Sequence, residues 1–99
     1  MIKEMNVFYP TFRKIINHQE YIDIYIHDEN HKKYKKGDIL RLLENDKNCK
    51  RTGSFIHVEI IKIIMLQAND EAKIVRLYIR PRLDMKITVK RKDFDFDGL

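Results

Sequence analysis

The chain has 99 residues, 43% of them apolar and 35% charged, with a net charge of +5 and a single cysteine. That length and apolar share suit one domain over residues 1–99, and no run of about 18 apolar residues is present to span a bilayer. A lone Cys49 excludes an intramolecular disulfide, and the start Met1-Ile2-Lys3-Glu4 lacks a leader-like apolar stretch, so a cytoplasmic protein is expected.

In chain order, Asn6-Val7-Phe8-Tyr9 reads as a first strand stopped by Pro10. Thr11 is placed to cap a helix over residues 12–17, in which Phe12, Ile15 and Ile16 recur at helical spacing. Residues 21–27 alternate strictly. Ile22, Ile24 and Ile26 fall on one face of a strand, and Tyr21, Asp23, Tyr25 and His27 fall on the other. A charged loop closed by Gly37 leads into a strand over residues 39–43, and the polar stretch 44–53 reads as another loop.

Residues 55–66 give the clearest strand signal. Ile56, Val58 and Ile60 alternate with Phe55, His57 and Glu59; the apolar set then shifts to Ile61, Ile63 and Met65. Such a change of phase predicts a bulge near Ile60-Ile61. After a connection at residues 67–71, Val75, Leu77 and Ile79 point inward, with Arg76, Tyr78 and Arg80 outward, until Pro81 ends the strand. Met85, Ile87 and Val89 alternate with Lys86, Thr88 and Lys90 as a last strand. The tail, Asp93-Phe94-Asp95-Phe96-Asp97, alternates acid and ring. β-branched residues dominate the apolar runs, so the expected fold is mainly β with one or two short helices (α+β), a small mixed barrel of about six strands.

Positive charge is segregated. Residues 30–51 carry a net +5 and residues 73–92 a net +7. The tract His31-Lys32-Lys33-Tyr34-Lys35-Lys36 and the outward set Arg76, Tyr78, Arg80 and Lys86 both combine cations with a ring. Cationic sheet surface draws phosphate by counterion release, and tyrosines stack on unpaired bases. This composition points to RNA or single-stranded nucleic acid as the partner. Lys32, Lys33, Lys35, Lys36, Arg76, Arg80 and Lys86 would meet phosphates, Tyr21 and Tyr25 would stack, Asp23 would discriminate by accepting from a base's amino edge, and Tyr78 and His27 would line the same site. On the bland alternative, the tyrosines cover a solvated strand face and the cations blunt an edge hairpin.

Three segments also resemble the ASCH family, a branch of the PUA-like β-barrels associated with RNA and modified bases. They are Phe12-Arg13-Lys14-Ile15-Ile16-Asn17, Glu20-Tyr21-Ile22-Asp23-Ile24-Tyr25, and Asp28-Glu29-Asn30-His31-Lys32-Lys33-Tyr34-Lys35-Lys36-Gly37-Asp38-Ile39-Leu40. The resemblance covers about two thirds of the chain and implies a PUA-like barrel with a groove. Small bacterial members that deacetylate acetylated cytidine use a lysine and a threonine where this chain has Glu20 and Asp23. A carboxylate offers neither the activating amine nor the hydroxyl nucleophile, so that chemistry is not carried over.

Two further readings compete. An acidic-aromatic tail suits a protein-interaction module, of the kind a phage or mobile element encodes to bind an acidic host protein. An enzyme acting on a modified nucleoside would use Asp23 or His27 as general base. The histidines His18, His27, His31 and His57 lack the spacing of a metal site, and no glycine-rich phosphate loop is present, so no cofactor or metal is expected.

Overall fold

Alternating apolar residues drive most of the chain into strands, as their spacing requires. The computed structural model describes residues 2–26, 34–68 and 73–90. In order these form β1 (Ile2–Phe8), α1 (Tyr9–Ile16), β2 (Tyr21–Ile26), β3 (Ile39–Asn45), β4 (Arg51–Ala68) and β5 (Lys73–Pro81). The strands make one curled half-barrel sheet in the order β1-β3-β4-β5-β2. β1 pairs parallel with β3, whereas β3–β4, β4–β5 and β5–β2 are antiparallel. The two outermost strands, β1 and β2, therefore run in opposite directions.

The inner face carries the core: Val7, Ile22, Leu40, Leu42, Ile56, Val58, Ile60, Val75, Leu77 and Ile79, closed by Phe12 and Ile15 of α1. β4 is the spine. Its first half pairs with β3 and its second with β5, and the register slips between Ile60 and Lys62, where the apolar phase changes. Past that bulge Ile63 and Met65 lie opposite Leu77 and Val75, while Lys62 and Ile64 turn outward beside Tyr78 and Arg76. Ile61 sits at the irregularity itself and stays exposed.

Three sequence expectations need correction. Thr11 does not cap α1: the helix starts earlier, with Pro10 in its first turn and Phe8 as an N-cap that makes no side-chain bond. Proline needs no donor there, so it opens the helix as well as ending the strand. Residues 44 and 45 belong to β3, and residues 51–53 to β4. Glu44 is buried at their junction, where Thr52 Oγ1 donates to its Oε1 at 2.6 Å and Arg13 Nε of α1 lies 3.8 Å from its Oε2. The sixth strand is absent among the described residues. Both sides of β5 are already taken, so the chain beyond Pro81 turns back to β4 and makes a single bridge, Thr88 with Phe55.

α1 ends at Ile16 with Asn17 as its C-cap, one residue from the sequence reading. Gln19 N–H donates to Lys14 O and His18 N–H to Ile15 O, a Schellman closure, and His18 holds the left-handed position at φ 78°. Glycine occupies that position without steric cost. His18→Gly is therefore expected to stabilise the fold by about 1 kcal/mol, read as a rise in urea midpoint at constant slope. An unchanged or lowered midpoint contradicts the cap.

Gly37 likewise holds a φ of +94°, and its N–H donates to Ile60 O at 2.7 Å. Next to it, Asp38 accepts from Lys3 Nζ at 2.9 Å and from Lys35 N–H at 3.0 Å, joining β1 to the turn before β3. The lysine bond, with the backbone donor, holds the Asp38 carboxyl below the usual range. A depressed folded value makes this contribution complete above the unfolded value of about 3.9, and it is lost as pH falls through the folded one. Asp38→Asn should accordingly flatten the fall of melting temperature below about pH 4. A wild-type slope in the variant would remove Asp38 from the linkage.

Candidate nucleic-acid face and seam

Antiparallel pairing of β2 with β5 assembles what the sequence presented as two separate sets. Tyr21 lies opposite Tyr78, Asp23 opposite Arg76, and Tyr25 opposite Ile74. Because Ile22 and Ile24 face the core, these side chains share the outer face, which β4 extends with Lys62 and Ile64. Cations and rings thus lie in adjoining rows on one surface.

The centre of that surface is an ion pair. Arg76 Nε and Nη2 donate to Asp23 Oδ1 and Oδ2 at 2.8 and 3.0 Å, a bidentate fork. The guanidinium carbon stands 4.0 Å from the centroid of the Tyr21 ring, and the Tyr21 and Tyr78 rings are tilted neighbours at 6.2 Å. Hydrogen bonding to Arg76 holds the Asp23 carboxyl below its ordinary range, and the bond to Asp23 raises Arg76 in return. This carboxylate is a poor proton acceptor, which weighs against its use as a general base. Tyr25, 70% exposed, is the ring left open to solvent.

The other predicted residues disperse. Arg80 and Arg82 share Glu59, at 3.7 Å each. Lys86 is not on a strand beside Arg76; its carbonyl faces His57 Nδ1 next to the first half of β4. Lys35 and Lys36 are exposed in the turn before β3, while Tyr34 packs against the core. His27, His31, Lys32 and Lys33 lie outside the described residues, as does the tail 91–99.

Pairing sorts the cations. Arg41 and Arg51 reach Glu4, Arg76 reaches Asp23, and Arg82 reaches Asp84 and Glu59, whereas Lys14, Lys62, Lys73, Lys86 and Lys90 form no ion pair among the described residues. Arginine's planar fork favours fixed carboxylates, and lysine remains a mobile point charge.

One structural role escaped the sequence reading. His57 is buried, its Nε2 accepting from Arg41 Nε at 3.1 Å, so Nδ1 carries the proton given to the Lys86 carbonyl. Both ring nitrogens are thereby occupied. Cys49 is an exposed free thiol at φ 61° in a tight turn organised by Asp46, whose Oδ1 accepts from the N–H groups of Asn48 and Lys50. No group of three potential metal ligands occurs among the described residues, and no helix there is long and apolar enough to cross a membrane.

The second feature is a cleft of about 340 Å³ lined by Met5, Asn6, Val7 and Phe8 of β1, Thr11 of α1, Ile22, Asp23, Ile24 and Tyr25 of β2, and Tyr34. Successive strand residues point to opposite faces. A cleft lined by four consecutive residues on each of two strands is therefore the gap between their edges, the seam where the half barrel stays open. In comparisons with known proteins, no family model and no curated sequence matches the chain.

Proposed function

We propose that this protein binds RNA or another single-stranded nucleic acid on the outer face of β2, β5 and β4, as a non-catalytic PUA-like barrel of the ASCH type with an open seam. One observation carries the reading: the β2–β5 register sets Tyr21, Tyr25, Tyr78 and Arg76 side by side, with Lys62, which has no ion pair among the described residues, next to them. Rings interleaved with cations on a sheet suit splayed bases better than a duplex groove. The planar Arg76–Asp23 fork, backed by Tyr21, offers a flat surface for a base, and Tyr25 offers a second. Lys62 and Arg80 then flank a phosphate path.

Tyr25→Ala tests the stacking role. It should weaken binding to a single-stranded oligonucleotide by about 1–3 kcal/mol, measured by fluorescence anisotropy at fixed salt. Removing so exposed a ring should leave stability nearly unchanged. Unaltered affinity would mean that Tyr25 merely covers its neighbours.

A further inference from the structure

The second half of β4 forms an open edge among the described residues. β3 stops at Ile39 opposite Glu59, and Asp38 and Gly37 take up the backbone groups of Ile60. Beyond that point β4 pairs with β5 alone. Register shows which of its groups are open. Ile79 N–H donates to Glu20 O, so Leu77 and Val75 likewise turn their backbone toward β2, while Tyr78 and Arg76 turn theirs toward β4. Lys62 and Ile64 meet those two, which leaves the N–H and C=O groups of Ile63 and Met65 directed along the open edge. The side chains around them are apolar and uncovered: Ile61 is 36% exposed, Met65 46% and Leu66 47%. An apolar edge with open backbone groups is a template for another strand.

We propose that this edge pairs with the same edge of a second copy of the chain, antiparallel and about a two-fold axis through Ile64. In that register Ile63 of each copy lies opposite Met65 of the other, so both open residues exchange their two hydrogen bonds. On the outer side Ile64 meets its own mate and Lys62 lies opposite Leu66. No like charges come face to face. Charge also singles out this edge from the others. β1 carries Lys3 and Glu4, β2 carries Asp23, and the chain returning along β4 carries Lys86 and Lys90, side chains of the kind that blunt an edge. From Ile61 to Leu66, Lys62 is the one charge. The segments that follow β2 and β4, residues 27–33 and 69–72, hold no apolar side chain except that of Ala72, so their sequence offers no cover for Ile61, Met65 and Leu66. Two short strand edges fall below the roughly 800 Å² per partner of a standard interface, which makes the dimer a reversible one. Its axis is perpendicular to the sheet, so the outer faces of both copies share one side.

Sedimentation equilibrium of the full chain should show a monomer–dimer equilibrium. Leu66→Lys sets a lysine opposite the second copy's Lys62, twice in each dimer, and should weaken association about tenfold. Leu66→Glu meets the same lysine and should associate more tightly than Leu66→Lys; adding Lys62→Glu to Leu66→Lys should restore the dimer. Equal losses in the lysine and glutamate variants would overturn the pairing. Hydrogen exchange on the unaltered chain gives a second reading that needs no variant to fold. The amides of Ile63 and Met65 should be slowed as concentration rises, while that of Ile64, already bonded to β5, should not change. A dimer in which those two amides ignore concentration would place the interface elsewhere and refute the proposal. A chain still monomeric at about 1 mM would refute it as well: slow exchange at both amides would then assign the edge to a segment of the same chain, and fast exchange would leave it unpaired. None of these measurements involves nucleic acid, so they stand apart from the reading of the outer face.

Discussion

Truncating Phe12 to alanine is expected to remove about 3–5 kcal/mol of stability. Phe12 is 1% exposed and, with Ile15, is one of two buried anchors of α1. Eight residues are too few for a helix to persist in water by propensity alone, so α1 exists because those anchors are buried. No polar side chain caps its start, which leaves packing to hold it in place. Domains have about 5–15 kcal/mol of stability in total, and the variant should lose a large part of it. Urea unfolding followed by far-ultraviolet circular dichroism would show the midpoint fall at a similar slope. A loss below about 1 kcal/mol would mean that the surrounding side chains collapse into the space.

Asp23→Asn should strengthen nucleic-acid binding. In the wild type the Asp23 carboxylate neutralises Arg76 through two short hydrogen bonds. Asparagine keeps the shape and removes the negative charge, which leaves Arg76 able to meet a phosphate. The salt dependence of binding should then steepen by about 0.7 log unit for one added single-strand contact. The sequence suggested a different role, with Asp23 lining the site beside Tyr21 and Tyr25. If the carboxylate reads a base edge directly, Asp23→Asn weakens binding and changes base preference. Affinities for oligonucleotides of two compositions, each measured over a series of salt concentrations, separate the outcomes by sign.

The strands were legible wherever alternation ran long enough to set a phase. Ile22 and Ile24 against Tyr21 and Tyr25 placed β2 correctly face by face, and the change of phase after Ile60 located the bulge in β4. Local pattern carried less at the boundaries. Glu44 and Thr52 are polar and read as loop, yet their mutual hydrogen bond lets β3 and β4 run on into the turn. Met85 to Val89 alternates as a strand does, but a strand also needs a vacant neighbour, and β5 has none to offer.

The outer face was only half legible. Which side chains point outward follows from a period of two, whereas which strands lie together depends on pairings between distant segments. The sequence paired Arg76 with Lys86, ten residues on; the fold paired it with Asp23, fifty-three residues back. A tyrosine-lined strand face and a separate basic stripe in the sequence become adjoining rows of one surface, joined by an ion pair. No composition or spacing rule encodes that neutralisation.

The distance between Asp23 and Arg76 along the chain has a consequence for synthesis. As the polypeptide emerges from the ribosome, β2 is made early and must wait for β3, β4 and β5 before its one partner strand exists. During that interval a ribbon of isoleucine and tyrosine has no sheet to join. The surface proposed to meet nucleic acid is thus among the last parts of the molecule to be assembled, and a chain interrupted before residue 76 would lack it entirely.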